Sequence, residues 1–196
     1  MQQLTFATNN QNKVEEVRKV LQGAFNIITL KEAGITINIP EPHHTLEANA
    51  TEKSTTIYAL TGNDCFSEDT GLFVPALNNE PGVKSARYAG EHATNEENIA
   101  KLLQNLEGIP DTSAYFKTVI SLIINGKEHQ FEGICNGKII NVKKGCNGFG
   151  YDAVFIPNGS KLTFAEMQID EKSSFSHRKK AMKKMIAFLL PENLSY

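Results

Sequence analysis

A mixed-sheet α/β fold is what this chain predicts, and three features carry that reading. Strand, loop and helix patterns alternate from the start: Leu4-Thr5-Phe6-Ala7 is short and β-rich, and Val14, Val17, Val20 and Leu21 then recur at helical spacing. In the second half, residues 114–124 alternate and are β-branched, and Asn125-Gly126 supplies the pair that tolerates the positive φ angles of a tight hairpin. So long an antiparallel hairpin argues against a purely parallel, doubly wound sheet. No repeat, low-complexity tract or flexible linker divides the chain, so the expectation is a single domain over 1–196, elongated and two-lobed, with a central cleft.

The elements follow in order. Gly23 stops the first helix, and a second strand, 26–30, leads to the loop Pro40-Glu41-Pro42-His43-His44. Leu46, Ala50, Lys53, Ile57 and Leu60 share one side of a helix that ends before Gly62. Residues 64–67 read as a short strand ending at Glu68-Asp69, and Leu72-Phe73-Val74 as another, stopped by Pro75. The stretch 77–94 is too long for a bare connector and is expected to be functional or ordered by a partner. Thr94 or Asn95 caps a helix with Ile99, Leu102, Leu103 and Leu106 inward. The hairpin returns through 128–134, and a further strand, 138–142, precedes a loop at 145–152. Thr163-Phe164-Ala165-Glu166 fits a capping box opening a short helix. Ser176 caps the last helix, whose inner face carries Ala181, Met182, Met185, Ile186 and Leu189 and which ends at Pro191.

Composition bounds the function. A 40% hydrophobic and 21% charged chain of mean hydropathy −0.30 is an ordinary soluble globular protein. At this length folding buries roughly 70% of the surface of the unfolded chain. With 20 Lys+Arg against 22 Asp+Glu, the net charge of −2 provides no field for a nucleic acid polymer, so an anionic ligand must be met locally. Of the basic cluster Arg178, Lys179, Lys180, Lys183 and Lys184, all but Arg178 read as a solvated helix face. Cys65, Cys135 and Cys146 are scattered and form no CxxC pair, which fits a reducing cytoplasm. The first residues run directly into a strand pattern without a signal-peptide arrangement. The longest apolar run, 119–124, is far short of the ~20 residues that span a bilayer. The expectation is a soluble intracellular protein with no membrane partner.

Four segments carry chemistry. Thr8-Asn9-Asn10-Gln11-Asn12-Lys13 lies between the first strand and first helix, where unpaired N–H groups and the helix dipole favour an anion and Lys13 adds a mobile charge. Glu68 and Asp69 are adjacent acids; at a strand end, with Gly71 allowing a turn, both can line one cleft, one holding Mg²⁺ while the other deprotonates water. In Gly148-Phe149-Gly150-Tyr151-Asp152, Phe149 is an aromatic suited to stack on a base, and Asp152 is an odd strand-start residue unless it has a donor such as a purine N1–H. His177 and Arg178, in the first turn of the last helix, offer donors to the 6-oxo group of hypoxanthine or xanthine. The other histidines, His43, His44, His92 and His129, lack partners at metal spacing and read as surface. Together these segments suggest a metal-assisted nucleotide hydrolase.

Residues 8–13, Ser67-Glu68-Asp69-Thr70-Gly71-Leu72, Ser85-Ala86-Arg87-Tyr88-Ala89-Gly90, 148–152 and Glu171-Lys172-Ser173 through Ser176-His177-Arg178, in this order, resemble the inosine/xanthosine triphosphate pyrophosphatases over nearly the whole chain. The resemblance implies cleavage of dITP, ITP or XTP between the α- and β-phosphates with Mg²⁺, releasing the monophosphate and pyrophosphate, and a homodimer whose partner or substrate orders 85–90. It also implies roles. Thr8, Asn9, Asn10, Gln11, Asn12 and Lys13 grip the triphosphate, Asp69 is proton acceptor and metal ligand, and Thr70 touches substrate. Phe149, Gly150, Tyr151, Asp152, Lys172, His177 and Arg178 form the base site. The family commonly has two acids before Asn-Ala on the second helix, whereas this chain reads Leu46-Glu47-Ala48-Asn49-Ala50. Either Glu47 supplies the ligand, or Glu68 and Asp69 hold the ion with more water. The alternatives are a related pyrophosphatase with another base preference and a non-catalytic nucleotide sensor.

Overall fold

The computed structural model describes residues 2–190 apart from Gln22 and Ala24; the expected stop at Pro191 lies outside them. Its seven strands form one mixed sheet in the order β2-β1-β3-β5-β6-β7, with β4 added to β3. β1 (Gln2–Phe6) pairs in parallel with β2 (Phe25–Thr29) and with β3 (Cys65–Val74), whereas β3 and β4 (Glu80–Gly82) run antiparallel. β5 (Ser113–Ile124) and β6 (Lys127–Ile139) are joined by Asn125-Gly126, whose φ angles of 50° and 74° are those a tight hairpin requires. β7 (Phe155–Pro157) closes antiparallel on β6. The chain divides into two compact units, and β3, β5 and β6 contribute residues to both.

The first unit comprises residues up to Asp69, Thr118–Gly133 and those from Arg178 on. Its sheet is covered on both faces. Leu4, Phe6, Phe66, Ile120 and Leu122 pack with Val14, Val17 and Leu21 of α1 (Gln11–Leu21) and with Ala181, Met182 and Met185 of α5 (His177–Leu189). Cys65 and Ile123, with Ala7 and Leu30, pack instead with Ile57 of α2 (Leu46–Thr61). Phe66 against Cys65, and Leu122 against Ile123, show the period-two alternation that sends successive strand residues to opposite faces. The buried stripe of α2 is largely polar: Asn49, Lys53 and Ser54 lie on it beside Ala50 and Ile57.

The second unit comprises Thr70–Lys117 and Ile134–His177. Its core joins Leu72, Val74, Phe116 and Ile139 of the strands to Ile99 and Leu102 of α3 (Asn95–Asn105) and to Tyr151, Phe155, Phe164 and Met167. Thr94 caps α3 in a complete capping box with Glu97. The stretch 77–94 carries hydrogen bonds within its own chain. Ser85 Oγ accepts from the Leu72 N–H at 2.8 Å, Asn98 bonds the main chain of Ala86 and Ala89, and Tyr88 Oη donates to Glu80.

Three element expectations need correction. The two strands expected at 64–67 and 72–74 are one ten-residue strand, β3, so Glu68 and Asp69 stand inside a strand rather than at its end. The segments 128–134 and 138–142 likewise merge into β6, which stops at Ile139. Thr163 and Glu166 do exchange the reciprocal capping bonds, at 2.8 and 3.2 Å, but only a turn follows; α4 begins later, at Ile169–Phe175.

Candidate active site

In the first unit, β1 delivers the chain to the loop before α1. Asn10 caps that helix, its Oδ1 accepting from the Lys13 N–H at 3.3 Å, and Thr8 Oγ1 accepts from the Asn10 N–H at 3.2 Å. Asn9 Nδ2 donates to the carbonyl of Ile37 at 3.2 Å, tying in the following loop. Gln11 and Asn12 are exposed at the helix start, so their first-turn N–H groups face solvent where an anion is favoured.

The alternation of β3 then separates the two acids. Phe66 and Glu68 point to the α1/α5 side, while Cys65, Ser67 and Asp69 point to α2, where Ser67 Oγ donates to the carbonyl of Ala50. Each acid therefore joins a different cluster. Glu68, 1% exposed, accepts a forked pair from Arg178 Nε at 2.7 Å and Nη2 at 2.9 Å, and Lys13 Nζ lies 3.2 Å from Oε1. Burial pushes this carboxyl up, but Arg178 and then Lys13 outweigh it and hold it down at about 2. Arg178 Nη1 also bonds Glu16 of α1.

Asp69 faces a different set. Lys53 Nζ stands 3.1 Å from Asp69 Oδ1 and 2.6 Å from Glu41 Oε1, so two carboxylates share one ammonium. Asn49 Nδ2 donates to Asp69 Oδ2 at 3.4 Å. Burial raises the Asp69 pKa, Lys53 opposes it, and the nearby Glu41 charge adds to the rise. A buried carboxyl raised in this way is a better proton acceptor than an exposed one. Two oxygen acids converging on one positive charge also make a donor set that suits Mg²⁺, which takes one or two carboxylates and fills its shell with water and phosphate. Among the described residues no group of three or more His, Cys, Asp or Glu surrounds a metal position, so such an ion would depend on that external oxygen.

The second unit holds the aromatic and acidic loop. Asp152 Oδ2 accepts from Lys172 Nζ at 2.7 Å and from the Phe149 N–H at 3.0 Å, and Lys172 Nζ lies 5.2 Å from the Phe149 ring centre and 5.5 Å from that of Phe164. Gly148 makes room for this: at φ +76° any Cβ would come within 2.1 Å of Asp152 Oδ2. Gly150 follows with φ 60°. Tyr151 is buried, and its hydroxyl donates to the carbonyl of Ser85 at 2.9 Å. His177 is buried and stacks on Phe116, with ring centres 4.8 Å apart and planes 14° apart. Thr70, half-buried, continues β3.

Several placements differ from the sequence reading. Arg178, expected beside a 6-oxo group, belongs to the first unit and spends its guanidinium on Glu68 and Glu16. Glu68, expected on a metal, has both oxygens held by cations. Glu47 lies two residues before Asn49 and so off the helix face, shared by Asn49 and Lys53, that meets Asp69. His129 is half-buried against Phe188 rather than on open surface. Glu41, Asn49, Lys53 and Glu16 were missed as site residues. The available signals were slight: an acid set between two prolines for Glu41, and a four-residue spacing for Asn49 and Lys53.

Comparison with known proteins extends this geometry. A model described as the Ham1 family matches residues 4–188. The dITP/XTP pyrophosphatase of Flavobacterium psychrophilum is 46% identical over 186 residues, covering 95% of this chain and 98% of that protein. The dITP/XTP pyrophosphatase of Porphyromonas gingivalis is 46% identical over 191 residues, covering 97% and 98%. Among solved structures, the Staphylococcus aureus Ham1 protein matches with a TM-score of 0.88 at 35% identity, over 98% of this chain and 100% of its own. The Coxiella burnetii HAM1 protein matches with a TM-score of 0.89 at 34% identity, over 97% and 100%. With sequence and fold similar from end to end, this chain belongs to the Ham1 family.

Proposed function

We propose that this protein is a nucleoside triphosphate pyrophosphatase that hydrolyses deaminated purine nucleotides, dITP, ITP and XTP, to the monophosphate and pyrophosphate. The observation that carries the reading is Asp69: a buried carboxyl, raised in pKa, held between an ammonium and an amide in a chain whose relatives are dITP/XTP pyrophosphatases. Asp69 accepts the proton of the attacking water. Lys13 and the exposed start of α1 meet the polyphosphate, and Glu68, kept ionised by Arg178, holds Lys13 at its post. Glu41 and Asp69 would hold Mg²⁺, which when bound would neutralise phosphate charge and lower the pKa of a coordinated water.

On the base, Asp152 is an ionised acceptor kept in place by Lys172 and the Phe149 N–H. A 6-oxo purine presents an N1–H to such an acceptor, whereas adenine presents a lone pair. A site built to receive a hydrogen bond rejects an analogue that lacks it by about 10⁴-fold, so ITP is preferred to ATP by that order in kcat/KM. The absence of disulfides among the three cysteines is in keeping with a cytoplasmic protein, and no helix among the described residues is long and apolar enough to cross a membrane. A homodimer, carried by the family resemblance, is checked by light scattering.

Product analysis with dITP and Mg²⁺ tests the reaction. Pyrophosphate and dIMP are expected, and orthophosphate with dIDP overturns the α–β cut. Asp69→Asn removes turnover while nucleotide binding persists, which dismisses a non-catalytic nucleotide sensor; turnover that survives would take the role of proton acceptor from Asp69.

A further inference from the structure

We propose that Asn49 is a positioning residue that fixes the Asp69 carboxylate and the loop carrying Glu41; this rests on reading Asp69 as the proton acceptor. Asn49 is fully buried, a placement that costs free energy unless the amide is hydrogen-bonded. Its bonds are all directed at the site. Oδ1 accepts from the His43 N–H at 2.9 Å, and Nδ2 donates to the His43 carbonyl at 3.2 Å and to Asp69 Oδ2 at 3.4 Å. The paired bonds to one residue's main chain fix its orientation as well as its place, two residues beyond Glu41.

One helical turn on, Lys53 makes the corresponding connection through charge, reaching Asp69 Oδ1 and Glu41. The i, i+4 pair on α2 thus bridges Asp69 and the 40–45 loop twice. The two bridges respond differently to a cation. An ion drawn to Glu41 and Asp69 competes with the Lys53 ammonium for the same oxygens, whereas the neutral amide of Asn49 holds Asp69 Oδ2 and the His43 main chain without opposing the incoming charge. Asn49 is therefore the tether that keeps the two acids in register whether or not the ammonium stays.

Two variants separate its two halves. Asn49→Ala removes every bond; Asn49→Asp keeps an acceptor for the His43 N–H and loses both donations. In metal-free full-length protein, hydrogen exchange at the His43 amide is expected to quicken in Asn49→Ala and to stay near wild type in Asn49→Asp. With dITP, both variants should lose about 10- to 100-fold in kcat, the range set by one hydrogen bond to a charged group, while KM changes little. A purely structural role would lower stability and leave kcat per folded molecule intact. Wild-type exchange at His43 in Asn49→Ala, or wild-type kcat in the near-isosteric Asn49→Asp, overturns the inference, and Asn49→Asp decides alone if the alanine variant does not fold. Asp69→Asn, measured alongside, distinguishes the two failures. If it still turns over, the reading of Asp69 falls; if it is inactive while the Asn49 variants match wild type, only the tether falls.

Discussion

Two acids share the single ammonium of Lys53, and a buried charge that loses its partner is costly because water cannot replace it. Lys53→Met keeps the bulk and removes the charge, leaving Glu41 and Asp69 facing each other. Such a loss is expected to destabilise the protein by about 3–5 kcal/mol at neutral pH. On the proposed reading, in which Glu41 and Asp69 hold Mg²⁺, the variant should also gain more in melting temperature from added Mg²⁺ than wild type does. Calorimetry of both proteins with and without the ion checks this, and an equal gain would mean that the ion binds elsewhere. At this scale the sequence was only partly legible. Lys13 is legible as a charge at a helix N-terminus, Asp69 as one of two adjacent acids and Asp152 as an acid at an apolar strand start, whereas Lys172 is named only through the family resemblance. Glu41, Asn49, Lys53 and Glu16 are not legible as site residues. The contacts that bring them to the site, to Asp69, Glu41 and Arg178, span 12 to 162 positions, and the spacing within α2 does not reveal them. Arg178 is legible as the member of its basic cluster that is not on a solvated face, but its bond to Glu68, 110 positions away, is not.

Half of the buried residues of α2 are polar, Asn49, Lys53 and Ser54 beside Leu46, Ala50 and Ile57, which limits its apolar drive. Its ends matter correspondingly more. Thr45 accepts from the Ala48 N–H at 3.2 Å, and Gly62, at φ 66°, closes the other end with its N–H on the Tyr58 carbonyl. Thr45→Ala is expected to cost about 1 kcal/mol. In a chain of this size that lowers the melting temperature by about 2–4 °C, whereas Thr45→Ser should be close to neutral. A thermal melt of the two variants measures the difference. The C-terminal end of α2, the N-terminal cap of α3 and the turn at Asn125-Gly126 are legible because glycine and capping chemistry act within a few residues. The strands are less so, and the same residue type explains why. Gly71 reads as allowing a turn, but it marks a close approach within the sheet, as Gly137 does: a Cβ on Gly71 would lie 2.4 Å from the Gly82 carbonyl, and one on Gly137 would lie 2.3 Å from that of Ile156. The strands that press there, β4 and β7, are three residues long, too short for alternation to reveal.

For the molecule as a whole, the two buried acids of β3 push the pH dependence of stability in opposite directions. Glu68 sits at about 2 in the folded protein against an ordinary 4.5, so its contribution is complete above 4.5 and is lost as pH falls toward 2. That shift corresponds to about 3 kcal/mol at neutral pH, with roughly half gone by pH 3. Asp69 works the other way. Its folded pKa is raised, so the folded state binds this proton more tightly than the unfolded chain, and stability increases as pH falls through that raised value until the ordinary 3.8 is reached. The Asp69 contribution therefore increases as pH falls, and the Glu68 contribution is lost once that carboxyl begins to protonate. Urea unfolding from pH 7 to pH 3 separates the two. Asp69→Asn should flatten the increase and leave the acid loss, whereas Glu68→Gln should be less stable at pH 7, with Arg178 and Lys13 left uncompensated, and should approach wild type as pH falls. A stability gap between wild type and Glu68→Gln that stayed constant down to pH 3 would mean that Glu68 is not held ionised by its two cations, and the account of how Lys13 is positioned would fail with it.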